Sequence, residues 1–188
     1  MNSIVSSKMS LHLILGPMFS GKSTRLIEHI RSFRTLDYPM MVIKPDIDRR
    51  YTNDSAICTH NQDKESCHMV EINKLHEILD TPIFVNAKVI MIEEGQFFQS
   101  LYETVSTILI THKKHIYISA LNGDSKRQLF GEIYLLLPLC TNVEWLQALC
   151  IRCKDGTKAI YSKRISQSEE QIVVGSTEQY EAVCFNHY

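Results

Sequence analysis

Residues 11–24 read LHLILGPMFSGKST, an apolar run followed at once by two glycines, a lysine and a serine. Gly16, Pro17, Met18, Phe19, Ser20, Gly21, Lys22 and Ser23 fit the pattern G-x-x-x-x-G-K-[ST]. Glycines at those two places let backbone N–H groups turn inward onto phosphate oxygens, and a helix opening at Lys22 adds its positive dipole end. Lys22 would reach the β and γ phosphates, and the Ser23 hydroxyl would hold Mg²⁺. An apolar strand before the loop and a helical pattern after it are the context such a loop requires. A nucleoside triphosphate with Mg²⁺ is therefore expected.

Working outward, the runs MMVIK (40–44), KVIMIE (88–93) and HIYISAL (115–121) match LHLIL (11–15) in length and Ile/Val content. Short, continuously apolar strands of this kind suit a parallel sheet covered on both faces. Leu26, Ile30 and Phe33 recur at helical spacing after the loop, as do Leu101, Val105, Ile108 and Leu109 after EEGQFFQS. Alternating strands and helices predict an α/β fold, a P-loop (RecA-like) parallel sheet flanked by helices, with ligands outside the carboxyl ends of the strands.

KVIMIEEGQFF carries four apolar residues, Val89 to Ile92, to the paired acids Glu93 and Glu94. A carboxylate at the end of an adjacent core strand is where phosphoryl-transfer proteins hold the magnesium shell. Two in succession suggest that one serves the metal while the other takes a proton from an attacking hydroxyl. Strand alternation would point them to opposite faces. Gly95 is expected to break the backbone and bring both to the site.

After about residue 140 the texture changes. The chain divides into a polar arm (1–10), a nucleotide-binding α/β domain (11–142) and a small C-terminal lobe (143–188). The lobe holds a β-rich QIVVG (171–175) and two ligand pairs: Cys150 with Cys153, and Cys184 with His187. The C-x₂-C and C-x₂-H spacings place each pair on a tight knuckle. Together they offer a closed Cys₃His site for structural Zn²⁺ that ties the ends of the intervening loop together.

The 188 residues are 44% hydrophobic and 22% charged, an ordinary globular composition. A net charge of −1 gives the whole chain no footprint for nucleic acid or for an anionic membrane. No apolar run approaches the roughly 20 residues of a membrane span, and the start lacks a signal-peptide pattern. A cytoplasmic protein with its six cysteines reduced is expected. The rival to a kinase is a P-loop ATPase that acts on nucleic acid through a terminal zinc ribbon; the charge counts against it.

From about Leu11 to His187 the chain resembles the zinc-containing (type II) thymidine kinases. The resemblance rests on GPMFSGKST, DRRY (48–51), CTH (58–60), EEGQFF (93–98), ALNG followed by LFG, CIRC, YSKR and Y-x-x-VC in that order. It implies transfer of the ATP γ-phosphate to the 5′-hydroxyl of thymidine, with Glu94 as catalytic base and Glu93 at the magnesium. Asp48 and Arg50 match a D-x-R beside the phosphates. Met18, Phe97, Leu121, Phe130 and Tyr180 match positions enclosing the nucleoside. Gln171, Ile172, Val173, Val174 and Gly175 match a loop whose backbone reads the thymine edge. Relatives form homotetramers and are inhibited by the triphosphate end product. The sequence departs from the pattern at Glu93 (usually Asp), Asn122 (an acid), Ser125 (an aromatic), Ser176 (a glycine) and His187 (a cysteine).

Overall fold

The computed structural model describes residues 9–48, 56–58, 64–167, 170–173, 175 and 177–188. Arg50, Val174, Ser176 and most of the expected N-terminal arm lie outside the described residues.

The sheet grows from the first apolar run. β1 (Ser10–Gly16) feeds through the glycine loop into α1 (Lys22–Thr35), which returns to β2 (Met40–Pro45). A hairpin of β3 (Ala56–Cys58) and β4 (Lys64–Ser66) precedes β5 (His68–Val70) and α2 (Pro82–Asn86). β6 (Val89–Ile92), α3 (Leu101–Ile110), β7 (His115–Leu121), α4 (Ile133–Leu136) and β8 (Asn142–Trp145) complete the first layer system. Among the described residues, six strands form one sheet in the order β5-β2-β6-β7-β1-β8, with every pairing parallel.

The central strands β1, β2, β6 and β7 are largely buried on both sides because the sheet is covered on both sides. Leu11, Leu13 and Leu15 of β1, with Ile90 and Ile92 of β6, pack against Phe84, Leu101, Val105, Ile108 and Leu136 of α2, α3 and α4. Ile14, Val42, Val89 and Met91 face the other way, onto Leu26, Ile27 and Ile30 of α1. The β3–β4 hairpin is tied to α1 by its buried Glu65, which takes Arg31 Nε at 3.0 Å and Arg34 Nη1. These contacts leave the carboxyl ends of β1, β2, β6 and β7 at one edge. That edge is where ligands bind in open parallel sheets.

The expected domain boundary at 143 falls inside β8, whose residues 142–145 pair with β1 from His12 to Leu15. NVEW is half-buried because it is an edge strand of the main sheet. The lobe therefore starts past Trp145. There β9 (Ala148–Leu149) pairs with β10 (Lys158–Ala159), and β11 (Tyr161–Arg164) with β12 (Tyr180–Val183), both antiparallel. Ala148, Cys150, Ala159, Ala182, Val183 and Cys184 form a small core of their own. QIVVG contributes no strand among its described residues. No described helix is long and apolar enough to cross a membrane.

Candidate active site

The glycine loop is shaped by close approach at one end and by backbone conformation at the other. A Cβ on Gly16 would stand 2.6 Å from the Leu146 carbonyl oxygen. Gly21 has φ +85° and precedes α1, which has no side-chain cap and no acid in its first turn. The helix N–H groups and dipole thus remain available to an anion. Ser20 Oγ donates to Pro17 O at 2.8 Å, and Lys22 Nζ donates to the same oxygen at 2.8 Å. Lys22 is buried against the loop.

A cavity of about 450 Å³ opens beside this loop, lined by Met18, Phe19, Gly21, Lys22, Ser23 and Thr24 from the loop side. Lys44, Asp48, Ile57, Cys58, Glu93, Glu94 and Thr177 line the remainder. Lys44 sits near the end of β2, only 2% exposed, and its Nζ lies 3.4 Å from Asp48 Oδ2. The reading of the sequence missed Lys44. A lysine within an apolar strand was its only signal.

The two acids meet the site by different routes. Ser23 Oγ donates to Glu93 Oε1, and Ser119 Oγ donates to Glu93 Oε2. Burial first, then the Glu94 charge, push the Glu93 carboxyl up to about 7, against the pull of the two hydroxyls. The adjoining oxygens of Ser23 and Glu93 suit a hard divalent cation, whose charge would favour the carboxylate. Ser119 Oγ also accepts the Glu94 backbone N–H at 3.4 Å.

The backbone break expected at Gly95 occurs one residue earlier. Glu94 itself has φ +51°, in the left-handed region that a residue with a Cβ seldom adopts. Gly95 is needed for space instead, since a Cβ there would lie 2.6 Å from Ile118 Cγ2. The turn lets Glu94 join Glu93 at the cavity. Gln96, 2% exposed, donates from Nε2 to Glu94 Oε2 at 2.5 Å and accepts the Leu121 N–H on its Oε1 at 3.1 Å. Backbone strain of this kind clusters at functional sites, and here it falls on a carboxylate held by a buried amide.

Beyond Glu94 lies a second pocket, lined by Met18, Phe97, Leu121, Asp124, Ser125, Phe130, Ser162, Gln171, Val173, Gly175 and Tyr180. Phe97 and Phe130 meet edge to face at 5.5 Å. Ile172, expected to contribute through its backbone, has a side chain that is 41% exposed and does not line the pocket. Asp124 and Ser162 were missed by the sequence reading. Ser162 Oγ accepts the Met18 N–H at 2.8 Å and so docks β11 onto the glycine loop. Met18 and Glu94 line both cavities.

At the far end of the lobe the ligand atoms of Cys150, Cys153, Cys184 and His187 lie within 4.8 Å of one another. Cys153 Sγ is 3.6 Å from Cys184 Sγ and 3.2 Å from His187 Nδ1, which is 3.7 Å from Cys150 Sγ and 3.4 Å from Cys184 Sγ. A tetrahedron with Zn–S of about 2.3 Å and Zn–N of about 2.0 Å has edges of about 3.5–3.8 Å. Three sulfurs and an imidazole nitrogen at this spacing can hold a structural metal.

The family model for thymidine kinase matches residues 9–188. The thymidine kinase of Yaba monkey tumor virus is 40% identical over 174 residues, 93% of this chain and 91% of its own. That of Fowlpox virus is 35% identical over 178 residues, covering 95% and 96%. The cytosolic thymidine kinase of Homo sapiens is 36% identical over 174 residues, covering 93% of this chain and 70% of its own.

Proposed function

The chain belongs to the thymidine kinase family, and from that premise we propose that ATP occupies the cavity along the glycine loop and thymidine the aromatic pocket beyond it. The reaction moves the ATP γ-phosphate to the thymidine 5′-hydroxyl, giving thymidine monophosphate and ADP. The observation that carries the assignment of the two sites is the shared wall: Met18 and Glu94 face both cavities. A hydroxyl entering from one side and a phosphoryl group from the other then meet at Glu94.

The geometry supports the following roles. Loop N–H groups, the α1 N-terminus and Lys22 bind the phosphates. Glu94, held by Gln96, accepts the proton of the attacking hydroxyl. Ser23 and Glu93 would hold Mg²⁺, which when bound neutralises phosphate charge. Asp48, paired with Lys44, lies at the phosphate cavity, and Arg50 is proposed to join it there. Phe97, Phe130, Leu121 and Tyr180 bury the nucleoside, while Gln171, Val173 and Gly175 cover it, and the backbone of Ile172 and Val174 is proposed to join them. Zn²⁺ in the Cys₃His site would fix the lobe that carries these covering residues. A homotetramer is proposed by family analogy and is checked by sedimentation.

This reading is favoured over an ATPase acting on nucleic acid, because Phe97, Leu121, Phe130 and Tyr180 help to line a separate pocket beyond Glu94. A panel of nucleosides with ATP and Mg²⁺, read by product mass, tests it. Thymidine monophosphate is the expected product. Stimulation of ATP hydrolysis by single-stranded DNA, with no nucleotide formed, would overturn it.

A further inference from the structure

Asp124 is, beside Glu94, the second buried acid lining the pocket beyond the acid pair, and the reaction as described gives it no task. It stands just past β7 and is only 7% exposed. Its Oδ1 accepts the backbone N–H groups of Lys126 and Gln128, each at 2.8 Å. Those bonds explain why an acid is tolerated there, since they close the local turn. They leave Oδ2, which accepts Gln171 Nε2 at 2.8 Å across 47 residues of sequence. The same Gln171 amide donates to Leu129 O at 3.2 Å.

Gln171 opens the segment that crosses the nucleoside pocket. Its backbone oxygen accepts Arg164 Nη2 at 3.1 Å, and two residues on Tyr180 Oη donates to Val173 O at 2.8 Å. Arg164 and Tyr180 belong to β11 and β12, so both of these ties lie inside the C-terminal lobe. The Asp124–Gln171 bond is different in kind. It joins the covering segment to the loop after β7, which also carries Ser125 and Phe130 on the pocket wall. A bond to an ionised acceptor, shielded on the acid's side, is among the stronger single ties a side chain makes.

We propose that Asp124 is a positioning residue for the nucleoside: through the Gln171 amide it fixes the segment Gln171–Val173 across the pocket and thereby sets thymidine affinity. This rests on the assignment of that pocket to thymidine. The mechanism is preorganisation. A segment already held in its bound place loses less freedom when substrate arrives. The phosphate cavity shares neither Asp124 nor Gln171, so ATP binding is insulated from the tie.

The test is a double-mutant cycle on the full chain, read as KM for thymidine and KM for ATP. Asp124→Asn alone keeps an oxygen for the Lys126 and Gln128 N–H groups but offers Gln171 a donor. Gln171→Glu alone sets two carboxylates against each other on an exposed segment, where folding is not at stake. Each should raise KM for thymidine about tenfold or more and leave KM for ATP within about twofold. The double variant restores a bond of reversed polarity, Asn amide to Glu carboxylate, but leaves Leu129 O without its donor, so KM for thymidine should recover by about threefold or more from that of Gln171→Glu alone. Multiplying single effects in the double variant, or unchanged KM in both singles, overturns the proposal alone. Failure of the unsubstituted chain to phosphorylate thymidine overturns the pocket assignment and this proposal with it.

Discussion

Gln96 Nε2 lies 2.5 Å from Glu94 Oε2, and the other end of the same buried amide accepts the Leu121 N–H. One side chain thus fixes the proposed base against the end of β7. Gln96→Leu removes both bonds while filling similar space. A hydrogen bond to a charged group contributes about 1.5–3 kcal/mol, so kcat should fall on the order of 10- to 100-fold. KM for ATP should hold, because Gln96 does not line the phosphate cavity. Steady-state kinetics with each substrate varied checks the split.

Lys44 and Asp48 form a buried ion pair at 3.4 Å beside the phosphate cavity. Lys44→Met takes a cation from beside a buried carboxylate and should destabilise the fold by about 3 kcal/mol or more. Lys44→Met with Asp48→Asn should recover most of that loss, because the buried charge goes with its partner. Urea midpoints of the four chains report the coupling. Activity should stay low in the double variant.

Zinc should be found at one ion per chain by atomic absorption. Its removal by a chelator should release the lobe's small core, since structural zinc contributes about 10–16 kcal/mol of apparent binding to such sites. The Ser162 bond to Met18 carries the damage to the nucleoside pocket, so thymidine KM should rise more than ATP KM. His187→Cys should keep the metal; Cys153→Ser should lose it. A metal content near zero in the purified chain would sink this assignment.

Glu144 has its carboxyl held below the ordinary value: burial pushes it up, but the Arg25 hydrogen bond and charge, with those of His29, outweigh that. A depressed carboxyl contributes stability above its unfolded pKa, about 4.3, and loses it as pH falls through the folded value. Arg25 is 43% exposed, which limits the contribution to less than about 1 kcal/mol. Arg25→Ala should lower Tm by up to about 2–4 °C at neutral pH. Thermal melts at descending pH should show that difference shrinking.

The phosphate loop, the acid pair and the zinc ligands were legible because their chemistry demands particular residue types at particular spacings. The strands were legible because a sheet covered on both faces must be apolar throughout. Gln96, Ser119, Lys44 and Asp124 were not, since each acts by where the fold delivers it. Glutamine two residues past a glutamate is unremarkable until a 3-10 turn folds it back. The left-handed turn at Glu94 was misassigned to Gly95 for a related reason. Glycine is the default at such a turn, yet here the close approach of Ile118 had already claimed it.

Glu94, which lines both cavities, is the proposed proton acceptor on which transfer between them turns. Glu94→Gln keeps size and a hydrogen-bonding oxygen while removing the base. Single-turnover transfer from ATP to thymidine should slow by about 10²- to 10⁴-fold, with thymidine and ATP affinities largely kept by equilibrium binding. Transfer at the unsubstituted rate in Glu94→Gln would contradict the account.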